Sequence, residues 1–425
     1  MRFGEFVDIN PKIKLKKGSS YPFVEMKDLE PSIRSVFSNY GKEFSGSGSK
    51  FEYGDTLFAR ITPCLENGKT SQFKGHSSPA WGSTEFIVLR GISGKSDNSF
   101  IYYFSRSPEF RSHAIQNMVG SSGRQRVPND AIEKYECEFP PLSDQKAIAH
   151  ILGTLDDKIE LNQKMNQTLE DIAKAIFKSW FVDFDPVRAK AEGRHTGFPP
   201  EISNLFPDEL VDSEIGEIPK GWVLKPIYDL ADFINGAAYK KFEPNKERLG
   251  LPIIKIAELK SGVSEQTGFS TVEMGEKYLI RQRDILFSWS GNPDTSIDTF
   301  VWQRGDAWLN QHIFKVIPSD NVPRAFLLQL LRSKKPVFTE IARNKQTTGL
   351  GHVTVKDLKE MQIALPQLDL FQSALQILEV MHERVFLGEQ ENLCLSELRD
   401  TLLPKLISGE LRIPDAEKFL EEAGV

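Results

Sequence analysis

The chain has 425 residues, 40% hydrophobic and 26% charged, enough for two or three ordinary globular domains. No apolar run approaches about 18 residues and the N-terminus lacks a signal pattern, so no membrane crossing is expected and the cytoplasm is the expected location. Three scattered cysteines, Cys64, Cys137 and Cys394, indicate neither a disulfide framework nor a zinc knuckle and are expected as buried thiols. The net charge of -6 is unevenly spread: residues 1–140 carry 19 Lys and Arg against 16 Asp and Glu, residues 221–365 carry 20 against 16, and the other 140 residues carry 14 against 27. Two slightly basic stretches thus stand free to approach phosphate, with the acidity in the helices and linker.

In chain order, the first predicted elements are short strands at Thr56-Leu-Phe58 and Phe86-Ile-Val-Leu89 and a helix over 100–106. A polar loop, Gly120-Ser-Ser-Gly-Arg-Gln-Arg126, follows. Apolar residues at three- and four-residue steps, from Ile148, Ile151, Leu152 and Leu155 to Leu169, Ile172 and Ile176, then predict one amphipathic helix over 144–180. Ser143 is placed to cap it, and its length is about 55 Å. A second series comes next: strands at Ile285-Leu-Phe287 and Ile313-Phe-Lys-Val316, a helix over 324–332, and the loop Asn344-Lys-Gln-Thr-Thr-Gly-Leu-Gly-His352. Its long helix runs from about 370 to 403 and meets Pro404 near its end.

The second series repeats the first. Leu142, Ile151, Leu155, Asn166 and Leu169 reappear as Leu368, Ile377, Met381, Asn392 and Leu395 at a constant offset of 226, with Gly123 and Val127 over Gly349 and Val353. Upstream the offset drifts, setting Trp81 over Trp308 and Asp55-Thr-Leu-Phe58 over Asp284-Ile-Leu-Phe287, as insertions in surface loops produce. Helices this long cannot bury their stripes alone. They are expected to pair antiparallel across a pseudo-twofold axis, with Asn162, Asn166 and Asn392 fixing register. The expected fold class is mixed α/β: two pseudo-symmetric globular α/β domains separated by two long antiparallel helices.

Catalytic motifs fail on inspection. Gly68-Lys-Thr70 resembles the end of a phosphate-binding loop, but the glycine required five residues earlier is Pro63. Asn292-Pro-Asp294 lacks the second proline and the aromatic of an amino-methyltransferase signature, and Pro414-Asp-Ala-Glu-Lys418 compresses what a nuclease spreads over a hairpin. The seven histidines show no metal-ligand spacing. The two polar loops differ where their frameworks agree. Arg124, Gln125 and Arg126 offer forked donors and an amide suited to guanine and adenine edges, whereas Lys345, Gln346 and Thr348 offer another set.

Long phrases in a fixed order carry a family resemblance: Ala59-Arg-Ile-Thr-Pro-Cys-Leu-Glu-Asn-Gly-Lys69, Gly123-Arg-Gln-Arg-Val127, Trp180-Phe-Val-Asp-Phe-Asp-Pro-Val-Arg188, Ile215-Gly-Glu-Ile-Pro-Lys-Gly-Trp222 and Leu402-Leu-Pro-Lys-Leu-Ile-Ser-Gly-Glu-Leu411. Over essentially its whole length the chain resembles the specificity subunit of type I restriction-modification enzymes. The resemblance implies a target-recognition domain over 1–140, a long helix over 141–185, a linker over 186–220, a second recognition domain over 221–365, a second long helix over 366–412 and a tail over 413–425. It also implies that each domain reads one half of a bipartite, asymmetric double-stranded DNA site, and that the helices set the spacer and dock two methyltransferase subunits. Restriction and translocation subunits join through that complex. S-adenosylmethionine, ATP and magnesium belong to those partners, with no cofactor and no catalysis in this chain.

Candidate DNA-binding residues in the first domain are Arg60, Thr62, Asn67, Lys69, Ser121, Ser122, Arg124, Gln125 and Arg126. In the second they are Lys240, Lys241, Ser288, Ser290, Asn292, Lys345, Gln346, Thr347, Thr348 and His352. Base-edge roles fall to Arg124, Gln125, Arg126, Asn292, Gln346 and His352, with lysines and hydroxyls on phosphate. Trp289 reads equally as a core aromatic or a base-stacking platform. One departure is that Met1 lies almost directly before Phe6-Val-Asp-Ile-Asn10, whereas a fuller lead-in, Ile218-Pro-Lys-Gly-Trp222, introduces the second domain. The alternative reading is a non-catalytic helical scaffold that binds proteins at its globular ends.

Overall fold

The computed structural model describes residues 1–38, 40–75, 79–121, 123–346 and 349–422. It divides into two compact units, one of Met1–Gln163 with the chain from Glu391 onward, the other of Lys164–Gln390. Each unit contains one globular domain and a portion of each of two 40-residue helices, Leu142–Phe181 and Leu368–Ile407.

In the first unit a five-stranded sheet orders Val7–Ile9, Phe86–Gly91, Thr56–Ala59, Thr70–Phe73 and Ser35–Val36. A four-stranded sheet orders Gly41–Glu43, Ser20–Val24, Ala80–Gly82 and Ser49–Phe51. The strand Thr56–Ala59 is buried at every position, as its apolar run implies. Asp97 caps the helix Asn98–Arg106 by accepting from the Ser99 and Phe100 amides at 2.9 Å. That helix buries Phe100, Ile101, Tyr102, Tyr103 and Phe104 against Ile151, Leu152 and Leu155 of the first long helix and Leu402 and Leu406 of the second.

Pairing of the long helices within this unit is antiparallel. Asn162 donates to Asn392 Oδ1 at 3.1 Å and to Glu391 Oε2 at 2.8 Å, and Asp156, earlier on the first helix, accepts from Arg399, later on the second, at 2.6 Å. The terminal segment expected as a tail is a helix, Ile413–Glu422, whose Ala416 and Leu420 enter the same core.

The second unit repeats the two-sheet plan. Ala231–Asn235, Ile313–Pro318, Ile285–Ser288 and Asp298–Val301 form one sheet, and Phe269–Ser270, Leu251–Ile254, Ala307–Leu309 and Leu279–Ile280 form the other. In the sheet that contains Ser20–Val24 and in the one that contains Leu251–Ile254, the parallel pairing uses the equivalent tryptophan, Phe23 opposite Trp81 and Ile253 opposite Trp308. Asn166 donates to the Val385 carbonyl at 3.2 Å, again between antiparallel helices. The stretch 186–220 is packed against this unit and is not an extended linker: it contains the helix Asp185–Ala191 and a hairpin of Leu210–Val211 and Ile218–Pro219. Phe206 and Trp222 join Trp180, Phe181 and Phe371 in an aromatic cluster.

Three expectations are corrected. The first long helix begins at Leu142, so Ser143 lies inside its first turn and bonds Asp144 instead of capping. The second continues through Pro404 to Ile407, because a proline there removes only one amide from the last turns. Cys64 and Cys137 are half-buried and Cys394 is exposed. The short lead-in of the first domain also has a structural counterpart: Val223–Pro226 pairs with Gln362–Leu365 over four positions, whereas the first unit has the isolated bridge of Arg2 and Glu136.

Candidate nucleic-acid interface

Both units build the same backbone frame around the polar loops. In the first, the Arg60 amide donates to the Glu85 carbonyl at 3.0 Å and the Val127 amide to the Arg60 carbonyl at 2.9 Å. In the second, the Trp289 amide donates to the His312 carbonyl at 3.3 Å and the Val353 amide to the Trp289 carbonyl at 2.8 Å. Ile61 bridges Arg126, and Ser290 pairs with His352. Each loop also turns through a left-handed glycine, Gly123 at φ 78° and Gly349 at φ 85°, a conformation that a Cβ disfavours.

On this shared frame the side chains differ completely. Arg60, Glu85, Gln125 and Arg126 occupy the places of Trp289, His312, Gly351 and His352. Arg126 makes a forked ion pair with Glu85, at 2.7 Å between Nη2 and Oε1, and its Nη1 donates to the Arg124 carbonyl at 3.2 Å. Hydrogen bonding to Glu85 raises the Arg126 guanidinium further above its usual range. The second unit has aromatic groups instead: the Trp289 ring lies 5.7 Å from both His312 and Phe314, and its Nε1 donates to Asn235 at 3.1 Å.

The expected contact residues therefore separate into two groups. Asn67, Ser121, Arg124, Lys240, Lys241, Asn292 and Gln346 are exposed, and Gln125, Ser290 and His352 are half-buried beside them. Others hold the protein itself. Arg60 donates to the Val127 carbonyl at 2.9 Å, Thr62 Oγ1 bonds both the amide and the carbonyl of Gln125, and Lys69 donates to the Met26 carbonyl at 2.9 Å. Lys345 pairs with Asp357; burial raises that carboxyl, but bonds from Lys345 and Thr354 hold it below its usual range. Asn292 uses its Oδ1 to cap the helix Pro293–Ser296. Ser288 is corrected outright, because it is wholly buried in its strand and cannot present a hydroxyl to a ligand. Ser122, Thr347 and Thr348 lie outside the described residues.

Glu85 and His312 are the positions that sequence reasoning missed. The alignment of Trp81 with Trp308 carries directly to this pair, since both lie four residues further on. Among the described residues no cluster of His, Cys, Asp and Glu could hold a metal ion, and no helix is long and apolar enough to cross a membrane.

The chain is thus a duplicated two-sheet domain, each copy presenting a different polar loop on a common backbone frame. The chain belongs to the family of type I restriction-modification DNA specificity subunits, whose specificity domain matches residues 1–171 and 219–392. It is 28% identical over 416 residues to the HindI specificity subunit of Haemophilus influenzae, covering 87% of this chain and 89% of that one. It is 26% identical over 417 residues to the MjaIX specificity subunit of Methanocaldococcus jannaschii, covering 95% and 90%. The fold is that of the type I S subunit crystal structure from M. genitalium, with a TM-score of 0.50 at 15% identity, covering 96% of this chain and 95% of that one.

Proposed function

We propose that this DNA-specificity subunit is a non-catalytic reader of a bipartite, asymmetric duplex site, each unit taking one half. The observation that carries this reading is the common backbone frame bearing Arg60, Glu85, Gln125 and Arg126 in one copy and Trp289, His312, Gly351 and His352 in the other. Equivalent frames place their loops alike, and unlike side chains give unlike base preferences. Arg124 and Gln125 are the reading groups of the first loop, with Arg126 positioning them. Gln346 and His352, with Asn292 through its amide, serve the second. Exposed lysines, Lys240 and Lys241 among them, hold phosphate. The long helices set the spacer and dock two methyltransferase subunits, through which restriction and translocation subunits join. S-adenosylmethionine, ATP and magnesium reside in those partners, and the complex acts in the cytoplasm.

The test is the genome-wide pattern of N6-methyladenine when the chain is co-expressed with its methyltransferase subunit. A single bipartite motif with a fixed gap is expected. A continuous motif, or methylation unchanged by exchanging this chain, would refute the reading.

A further inference from the structure

We propose that the lysine-rich segment over residues 12–17 of the first unit, with Lys50 beside it, is a binding track for the phosphodiester backbone of duplex DNA. The inference rests on the DNA-specificity reading and extends it to a segment outside the recognition loops. Between Asp8 and Glu25 the chain carries Lys12, Lys14, Lys16 and Lys17 and no acidic residue. All four are exposed, and among the described residues no carboxylate pairs with any of them. Many other cations of this protein do have a carboxylate partner, including Arg34, Arg90, Arg126, Lys315 and Arg399. Four adjacent cations left without one repel each other, a cost that a polyanion relieves.

The segment is held and is not a loose tail. Leu15 packs against the buried cluster of Phe23, Phe44 and Trp81, and Ile13 is half-buried. The Lys16 amide donates to the Tyr21 hydroxyl at 3.1 Å, and the Ser19 amide to the Lys16 carbonyl at 3.2 Å. Apolar residues 13 and 15 thus anchor the chain while the lysines around them face water. In an extended chain alternate residues stand about 6 to 7 Å apart, which lets successive long side chains meet successive phosphates.

The track leads to the recognition frame. Residues 10–13, with Lys50, Arg60 and Thr84, line a cleft of about 450 Å³ whose lining contains three cations and no carboxylate. Thr84 directly precedes Glu85, and the Arg60 Nε is buried there without a partner. The second unit has a counterpart. There too a lysine pair, Lys240 and Lys241, follows the leading strand, which in both units pairs antiparallel with its neighbour.

The experiment uses the full chain assembled with its methyltransferase subunits. Wild type and a variant with Lys12→Gln, Lys14→Gln, Lys16→Gln and Lys17→Gln are titrated with cognate and random duplexes between about 50 and 300 mM salt. Wild type is expected to bind with strong salt dependence. The variant is expected to lower the slope of log affinity against log salt by about 2 to 4, at about 0.9 per phosphate contact, by the same amount on both duplexes. Its methylated motif stays the same, and lysine-to-arginine replacements retain the wild-type slope. An unchanged slope in a folded variant, a loss confined to cognate DNA, or failed assembly with unchanged DNA binding by the free chain each overturns the track. Absence of salt-dependent binding in wild type instead overturns the underlying reading.

Discussion

The guanidinium of Arg126 is shared between Glu85 and the Arg124 carbonyl, so its donors are spent on the loop that carries Arg124 and Gln125. An exposed pair of this kind adds little to stability. Its value is in fixing loop geometry. Glu85→Gln and Arg126→Gln are each expected to weaken binding to sites carrying the first half-sequence, and the double variant to lose no more than the worse single one. Anisotropy titrations with duplexes altered in one half at a time check this. If Arg126→Gln costs about 1 to 3 kcal/mol while Glu85→Gln costs nothing, Arg126 reads a base edge directly. Arg399 presents the opposite situation. It is 3% exposed and pairs with Asp156, 1% exposed, which also accepts from Tyr103 at 2.7 Å. Arg399→Ala is expected to destabilise the first unit by about 3 to 5 kcal/mol in urea unfolding, because it strands a buried carboxylate. Arg399→Met with Asp156→Leu is expected to recover most of that loss.

At the scale of elements, the long helices were legible because a 3.6-residue apolar period over 40 positions has few competing explanations. The asparagines that interrupt the stripe were legible as a register device for the same reason, and Asn162 and Asn166 both donate across the helix pair of their own unit. The ionisable groups near them were not, since nothing local in the sequence marks which polar positions are buried. Burial and the nearby Glu170 push the Glu389 carboxyl up to about 7, and burial with Arg332 and Arg324 pushes His382 down to about 3. A carboxyl raised in the fold keeps its proton where the unfolded chain has lost it, so its contribution is complete below about 4.5 and is lost as pH rises through about 7. His382 has the opposite sign, its contribution fading as pH falls below about 6.5. Glu389→Gln is therefore expected to leave stability unchanged near pH 4 and to raise it above pH 7, by on the order of 2 kcal/mol. Denaturant midpoints of the two proteins across that range measure it, and parallel curves would show that Glu389 ionises normally.

At the scale of the whole molecule, each long helix contributes to both units, passing between them after Gln163 in one case and after Gln390 in the other. The duplication was legible as an offset that is constant over the helices and drifts upstream, and the offsets of 227 and 229 there already pair Glu85 with His312 and Arg60 with Trp289. What was not legible is that these four positions meet around one backbone frame. That meeting depends on long-range backbone hydrogen bonds, from Arg60 to Glu85 and from Val127 to Arg60, which no local pattern marks. What the offset does establish is that the helical portions carry no insertion relative to each other, while the domains do. That asymmetry is expected if helix length is read out as a distance. Inserting four helix-forming residues beside Lys164 and four beside Gln390 adds about 6 Å to each helix while keeping their faces nearly in register. The expected outcome is a longer preferred spacer with both half-sequences unchanged, scored by sequencing methylated adenines. Methylation retained at the original spacing would show that the helices do not measure, and loss of one half-sequence would show that the insertion had damaged a reader.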